Sequence, residues 1–225
     1  NFKELFGTWE NPLSKLLNST YMSNVMKFIH EFYKSTGVPR PRQSEIFQVF
    51  RQVAFSEVKV VILTAEPLKN FKGNGVALAT NEREYNSPSC ITEMVERCVE
   101  DTVYNGINPS FDLTLEPWLM QGVFPLHASL TTTITAKDGY KNVWKEFTRS
   151  VLKVLSNSNK GIVFIFLGED VKEYVSLINK KHNHVLEYQS PYESFKLKQD
   201  WACSCFSDTN KILKKAKGAG ATIIW

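Results

Sequence analysis

From Val58 to Thr80 the chain reads Val-Lys-Val-Val-Ile-Leu-Thr-Ala-Glu-Pro-Leu-Lys-Asn-Phe-Lys-Gly-Asn-Gly-Val-Ala-Leu-Ala-Thr. Val58 to Leu63 is an aliphatic, β-branched run interrupted once by Lys59, and a run of that length reads as a strand buried on both faces. It opens directly onto Glu66 and Pro67. In open α/β sheets the carboxyl end of a strand is where ligands bind, so the run fixes both a fold class and a place for chemistry.

Further short apolar runs follow at Val76 to Ala79, Val123 to Leu126 and Gly161 to Leu167, with a fifth candidate strand at His184 to Tyr188. Helical patterns lie between them. Pro88 to Tyr104 begins with Ser87 as a cap, Tyr140 to Leu155 places Val143, Trp144, Phe147, Val151, Leu152 and Leu155 at helical spacing, and Val171 to Asn179 follows Glu169 and Asp170. Strands alternating with helices predict an α/β fold: a mostly parallel central sheet of about four strands with helices on both faces.

Ahead of the sheet, Asn11-Pro12 reads as a helix start, and Leu13, Leu16, Leu17, Met22, Val25, Met26, Ile29 and Phe32 recur at helical spacing. Gly37 suits a helix stop, Val38 to Arg42 is extended because each proline disfavours helix in the residue before it, and Ser44 to Gln52 returns to a helical pattern. Phe206 to Lys217 forms a last helix ending at Gly218. With no linker or repeat in view, residues 1–225 read as a single domain with an amino-terminal helical segment over about 1–55.

An apolar fraction of 43% with 12% aromatic residues excludes a disordered chain. No apolar stretch approaches the ~20 residues of a membrane span and the first residues carry no signal-peptide pattern, which predicts a soluble, intracellular protein of cytoplasm, nucleoid or nucleus. A leader upstream of Asn1 stays open. Cys90, Cys98, Cys203 and Cys205 include no Cys-x-x-Cys pair and read as reduced, packed thiols rather than as a metal site completed by a histidine. Neither metal nor cofactor is expected. The 27 basic and 23 acidic residues give a net charge of +4, which permits contact with nucleic acid without requiring it.

The run at Val58 to Thr80 resembles the first signature of family-1 uracil-DNA glycosylases, where a similar strand opens into Gly-Gln-Asp-Pro-Tyr-His and then Gly-Leu-Ala-Phe-Ser. Pro88-Ser89 resembles the family's proline-rich phosphate loop. Trp118-Leu-Met-Gln-Gly-Val-Phe-Pro-Leu-His-Ala-Ser-Leu-Thr-Thr is similar to its Trp-x-x-Gln-Gly-Val-Leu-Leu-Leu-Asn-x-x-Leu-Thr-Val strand. Phe206-Ser-Asp-Thr-Asn210 and the closing Ile224-Trp225 match its Phe-Ser-x-x-Asn helix and final tryptophan. The likeness covers nearly all of the chain after about residue 50.

Residue by residue, the resemblance implies a site whose side chains have changed. Glu66 stands at the Asp that stabilises the sugar cation and positions water, beside the matching Pro67 and after Ala65. Leu68 replaces the Tyr that shields the pocket from a thymine methyl, and Leu78 the Phe that stacks on the flipped base; a lost stacking face gives up ~1–3 kcal/mol. His127 falls at the Asn that reads uracil, and an imidazole cannot copy an amide's paired donor and acceptor. With Pro191 aligned to the second signature, Ser190 takes the place of the electrophilic histidine; a shift of one or two residues puts Gln189 or Tyr188 there. For DNA, Ser89, Pro191, Lys196 and Lys198 are the contact candidates, with Phe195 near the intercalating leucine as a wedge. Lys69, Lys72, Lys137 and Lys141 suit the same face, whereas Glu169 and Asp170 after Gly168 repel phosphate at a helix start.

Several costly changes at one site predict a glycosylase-like protein without efficient activity. On that reading it is a DNA-associated or protein-binding module in replication, repair or transcription, its partner a polymerase or other nucleic-acid machinery, as in some viral relatives. A second reading is an active DNA glycosylase of altered specificity for uracil or a modified pyrimidine, with Glu66 as the acid group, His127 reading the base and Ser190 assisting. A third is a structural subunit that holds a protein partner through the Phe195 loop or the amino-terminal helices, without DNA.

Overall fold

The computed structural model describes residues 1–35, 37–67, 73–81, 91–105, 111–135 and 140–225. Its strands in chain order are β1 (Pro39–Arg40), β2 (Val60–Thr64), β3 (Val123–His127), β4 (Thr132–Thr133), β5 (Val163–Leu167) and β6 (His184–Tyr188). Four of them form a wholly parallel sheet in the order β3-β2-β5-β6, and β1 pairs with β4 as a separate antiparallel ribbon. Every residue of β2 and β5 is buried, which is why both read as uninterrupted apolar runs. β6 lies at an edge and is partly exposed throughout.

The helix Lys141–Ser158 turns Trp144, Phe147, Val151, Leu152 and Leu155 inward on one stripe. The amino-terminal segment packs beside it: Phe6, Phe47 and Phe50 surround Phe147, and the Trp9 ring stacks 4.6 Å from Phe124 of β3. The indole Nε1 of Trp9 donates to the Val53 carbonyl at 2.7 Å, so its buried polar atom is satisfied. A second aromatic cluster joins Trp118, Phe206 and Trp225, with Trp225 5.0 Å from Trp118 and 4.9 Å from Phe206.

Two amide side chains clamp the carboxyl-terminal tail next to that cluster. Gln121 donates to the Ile224 carbonyl at 2.9 Å and accepts from its N–H at 2.8 Å, while Asn210 makes the same pair of bonds with Ile223, both at 2.8 Å. Gln and Asn in two of the resembling motifs therefore do architectural work: they satisfy backbone groups of the tail.

Four expectations about local structure are corrected. Val76 to Ala79 is no strand but a buried turn, in which Leu78 takes φ 68° and the Asn74 side chain accepts from the Val76 N–H at 3.1 Å. Complete burial gave this turn its strand-like composition. The helix at Asn11 is split: Ser14–Leu17 is a single turn, and the long helix Thr20–Phe32 starts from Ser19, whose hydroxyl accepts from the Met22 N–H. Val171 to Asn179 is a tighter 3-10 segment, Glu169–Leu177. Ser44 to Gln52 divides into a 3-10 turn, Gln43–Glu45, and the short helix Gln48–Gln52.

The helix expected from Pro88 is described as Ile91–Val103; Ser87, Pro88, Ser89 and Cys90 lie outside the described residues. Cys98, Cys203 and Cys205 are free and buried, and the Cys98 thiol donates to the Cys203 carbonyl at 3.1 Å. That neighbouring cysteine and burial hold the Cys98 thiol far above the usual thiol range. No described helix is long and apolar enough to cross a membrane.

Candidate active site

Where β2, β3 and β5 end, their carboxyl termini and the segment after β6 enclose a cavity of about 530 Å³. Side chains separated by as much as 124 positions meet there: Glu66 follows β2, His127 ends β3, and Ser190 follows β6. Ala65, Pro67, Leu78, Pro191 and Lys196 line the same space. Leu68 lies outside the described residues, as does Ser89.

The parallel register of β2 and β3 sets the floor. Thr64 sits opposite His127, and their side chains are joined by a hydrogen bond of 2.9 Å between Oγ1 and Nδ1. Pairing continues beyond the strands, since the Ala128 and Ser129 N–H groups donate to the Thr64 and Ala65 carbonyls at 2.7 and 2.8 Å. Thr148 pins the Ala128 carbonyl from the helix above at 2.8 Å. The segment carrying Glu66 thus leaves a rigid framework at a fixed point, one residue beyond its last ladder bond.

Removal from water lowers the His127 pKa from 6.5 to about 3, so the imidazole is neutral at physiological pH. With Nδ1 engaged by Thr64, Nε2 is the ring nitrogen left for a ligand. It accepts if Nδ1 carries the proton, and donates if the Thr64 hydroxyl gives its hydrogen to Nδ1. The sign of the pH effect follows from the lowered value. Below pH 6.5 the unfolded chain binds a proton that the folded chain refuses, so stability is lost as pH falls toward 3. We expect denaturant titrations to show wild-type protein losing about 2 kcal/mol more than His127→Asn between pH 7 and pH 4.5.

Ser190 is the N-cap of the helix Pro191–Lys196, and its hydroxyl oxygen accepts from the Tyr192 N–H at 3.1 Å. The cap uses a lone pair and leaves the hydroxyl hydrogen free to donate. Ser190→Ala should cost about 1 kcal/mol of stability, read as a lower denaturation midpoint with an unchanged slope.

Positive φ is required where the walls close. Gly168, at φ 102°, lets β5 turn beneath Ser190, whose Cβ would lie 3.1 Å from any Cβ placed there. Gly75, at φ 80°, passes so close to the 3-10 turn Gln43–Glu45 that a Cβ would lie 1.9 Å from the Glu45 carbonyl oxygen.

The expected wedge is corrected. Phe195 is partly buried and packs against the core, because it falls on the inner side of its short helix. Among the described residues, Tyr192, on the wall of the cavity and 40% exposed, is the aromatic residue at its mouth, with the Lys196 ammonium 4.4 Å from the ring centroid. Lys198 is exposed beyond it, while Lys141 is held by Glu173 at 2.9 Å. Glu169 forms a salt bridge with Lys172. Lys69, Lys72 and Lys137 lie outside the described residues. Two contributors escaped sequence reasoning: Thr64, which only the register across two parallel strands reveals, and Arg40, brought to the wall by the β1–β4 ribbon.

No family model matches the chain. Among curated proteins, it is 28% identical over 220 residues to a uracil-DNA glycosylase of Buchnera aphidicola, spanning 93% of this chain and 94% of that protein. It is 30% identical over 208 residues to one of Dictyostelium discoideum, spanning 92% of this chain and 60% of the other. The crystal structure of mimivirus uracil-DNA glycosylase superposes with a TM-score of 0.81 at 15% identity, covering all of this chain and 89% of that one.

In sequence the chain is similar to uracil-DNA glycosylases over nine-tenths of its length, and it shares their fold. Relatives that match over nine-tenths of its length bear the name of an enzyme, and this overturns the expectation of a binding module without glycosylase activity. The physical premise of that expectation was that altered side chains at the motif positions imply a dismantled site. Glu66, His127 and Ser190 nevertheless line one cavity.

Proposed function

We propose that the protein is a DNA N-glycosylase that hydrolyses the bond between uracil and its deoxyribose, an intracellular activity of DNA repair. The observation that carries this reading is the meeting of Glu66, His127 and Ser190 at the carboxyl ends of the strands, around a space large enough for an extruded pyrimidine. Its relatives' names support the reaction class.

In this reading the extruded nucleotide enters past Tyr192, whose exposed ring and neighbouring Lys196 face the backbone being opened. Glu66 supplies a negative charge that favours the cationic sugar as the glycosidic bond breaks, and orients the water that attacks C1′. His127 makes one hydrogen bond to the base edge through Nε2, and its neutrality avoids burying a charge beneath the base. Ser190 donates its free hydroxyl hydrogen. Because one nitrogen at His127 replaces an amide's two groups, base selection should be looser than an amide reader provides.

The test is a panel of single-stranded and duplex oligonucleotides carrying uracil, thymine, cytosine or a 5-substituted uracil, each scored for alkali-labile sites and free base. Uracil should be released from both, with 5-substituted uracils next in rate. An absence of release from every substrate at enzyme excess would remove the proposal.

A further inference from the structure

Arg40 is a cation of the cavity wall for which the reading above has no task. It is carried by β1, in register opposite Thr132 of β4. Among the described residues its Nε is buried without a hydrogen-bond partner, and so is Oγ1 of the fully buried Thr132. The guanidinium makes a 3.5 Å bond to the carbonyl of its own neighbour, Pro39, at the limit of hydrogen bonding. Among the described residues no carboxylate lies within ion-pair distance of it. The other cations of the wall are committed differently: Lys141 to Glu173, and Lys196 to the Tyr192 ring at the exposed mouth.

A half-buried guanidinium with one donor buried and unpartnered is an uncommon thing for a fold to keep, because that donor loses water without gaining a partner. It becomes favourable when an anion arrives within its reach. We propose that Arg40 receives the negative charge of the departing base. This rests on the glycosylase reading, and it names the group that takes over from the electrophilic side chain that Ser190 replaces. The C1′–N1 bond breaks with its electron pair passing to the base, the oxygen of water bonds to C1′, and the water's proton goes to the Glu66 carboxylate. The base leaves as an anion with charge on N1 and O2, later taking a proton from solvent. A neutral hydroxyl at Ser190 stabilises such an anion less well than a guanidinium, whose parallel donors match two acceptors at once. Phosphates stay with the DNA backbone outside, nearer the exposed Lys196 and Lys198 than this half-buried residue.

Free bases separate charge recognition from catalysis. Binding of uracil, neutral at pH 7, and of 5-nitrouracil, anionic there because of its electron-withdrawing group, is measured by tryptophan fluorescence on wild-type, Arg40→Lys and Arg40→Met protein. Wild type should hold the anionic base about tenfold or more tightly than uracil; Arg40→Met should erase that preference and Arg40→Lys should keep part of it. In parallel, kcat for uracil release should fall in Arg40→Met with KM for the oligonucleotide little changed. A wild-type protein with no preference, or an Arg40→Met protein that retains it, overturns the inference. Weaker oligonucleotide binding with an intact base preference also overturns it, by making Arg40 a phosphate contact. Preference for the anion in a protein that releases no uracil would leave the Arg40 site standing and remove the glycosylase reading instead.

Discussion

Glu66→Gln should lower uracil release by at least about 10²-fold while leaving the fold and the affinity for uracil-containing DNA unchanged. Glutamine keeps the size and planarity of the side chain and removes its charge, so it isolates the electrostatic contribution. A charge aimed at the developing sugar cation stabilises it directly, and losing one such stabilising group typically costs about 10²–10³ in turnover. Glu66 follows directly on the last residues tied to β3, through the Ser129 N–H to Ala65 carbonyl bond of 2.8 Å. Its backbone position is therefore fixed, and the longer reach of Glu over Asp is absorbed by the side chain. Glu66→Asp probes that reach: it should retain more activity than Glu66→Gln in single-turnover release, because charge matters more than a displacement of about 1 Å. Equal loss in the two variants would place the effect in geometry rather than charge.

Gly75→Ala should be the most destabilising conservative change near the site, at about 4 kcal/mol in chemical denaturation. Two independent costs combine. The residue has φ 80°, where an L side chain is strained by about 1–2 kcal/mol, and the new Cβ would lie 1.9 Å from the Glu45 carbonyl oxygen. A backbone atom cannot swing aside as a long side chain can, so the 3-10 turn Gln43–Glu45 must move. That turn adjoins Arg40 and Pro41 on the cavity wall, and uracil release should fall with stability. Full stability in the variant would show that the loop after β2 has more freedom than this close approach allows.

The sheet was readable because burial on both faces leaves a signature that no turn can disguise across five residues: Val60–Thr64 and Val163–Leu167 are aliphatic or aromatic at nearly every position. The same logic misled at Val76 to Ala79, where a tightly packed turn is as apolar as a strand, and only Gly75 with Asn74 signalled it. The positions of Glu66, His127 and Ser190 were legible through motif resemblance. Their convergence was not, since no local pattern states that strand ends 124 residues apart share a cavity. Phe195 illustrates a further limit. A one-residue uncertainty in where a short helix begins rotates its side chains by about 100°, enough to change which of them face the core. Arg40 was invisible because its place depends on a two-residue ribbon formed with a segment some ninety positions away.

The most direct test of the central claim is the crystal structure of the Glu66→Gln protein with an oligonucleotide containing one uracil. The account predicts the uracil turned out of the strand and seated in the cavity, with His127 Nε2 within hydrogen-bond distance of its edge and the residue 66 side chain facing C1′. A uracil left stacked in the strand, with the cavity empty and DNA bound to another surface, would contradict it.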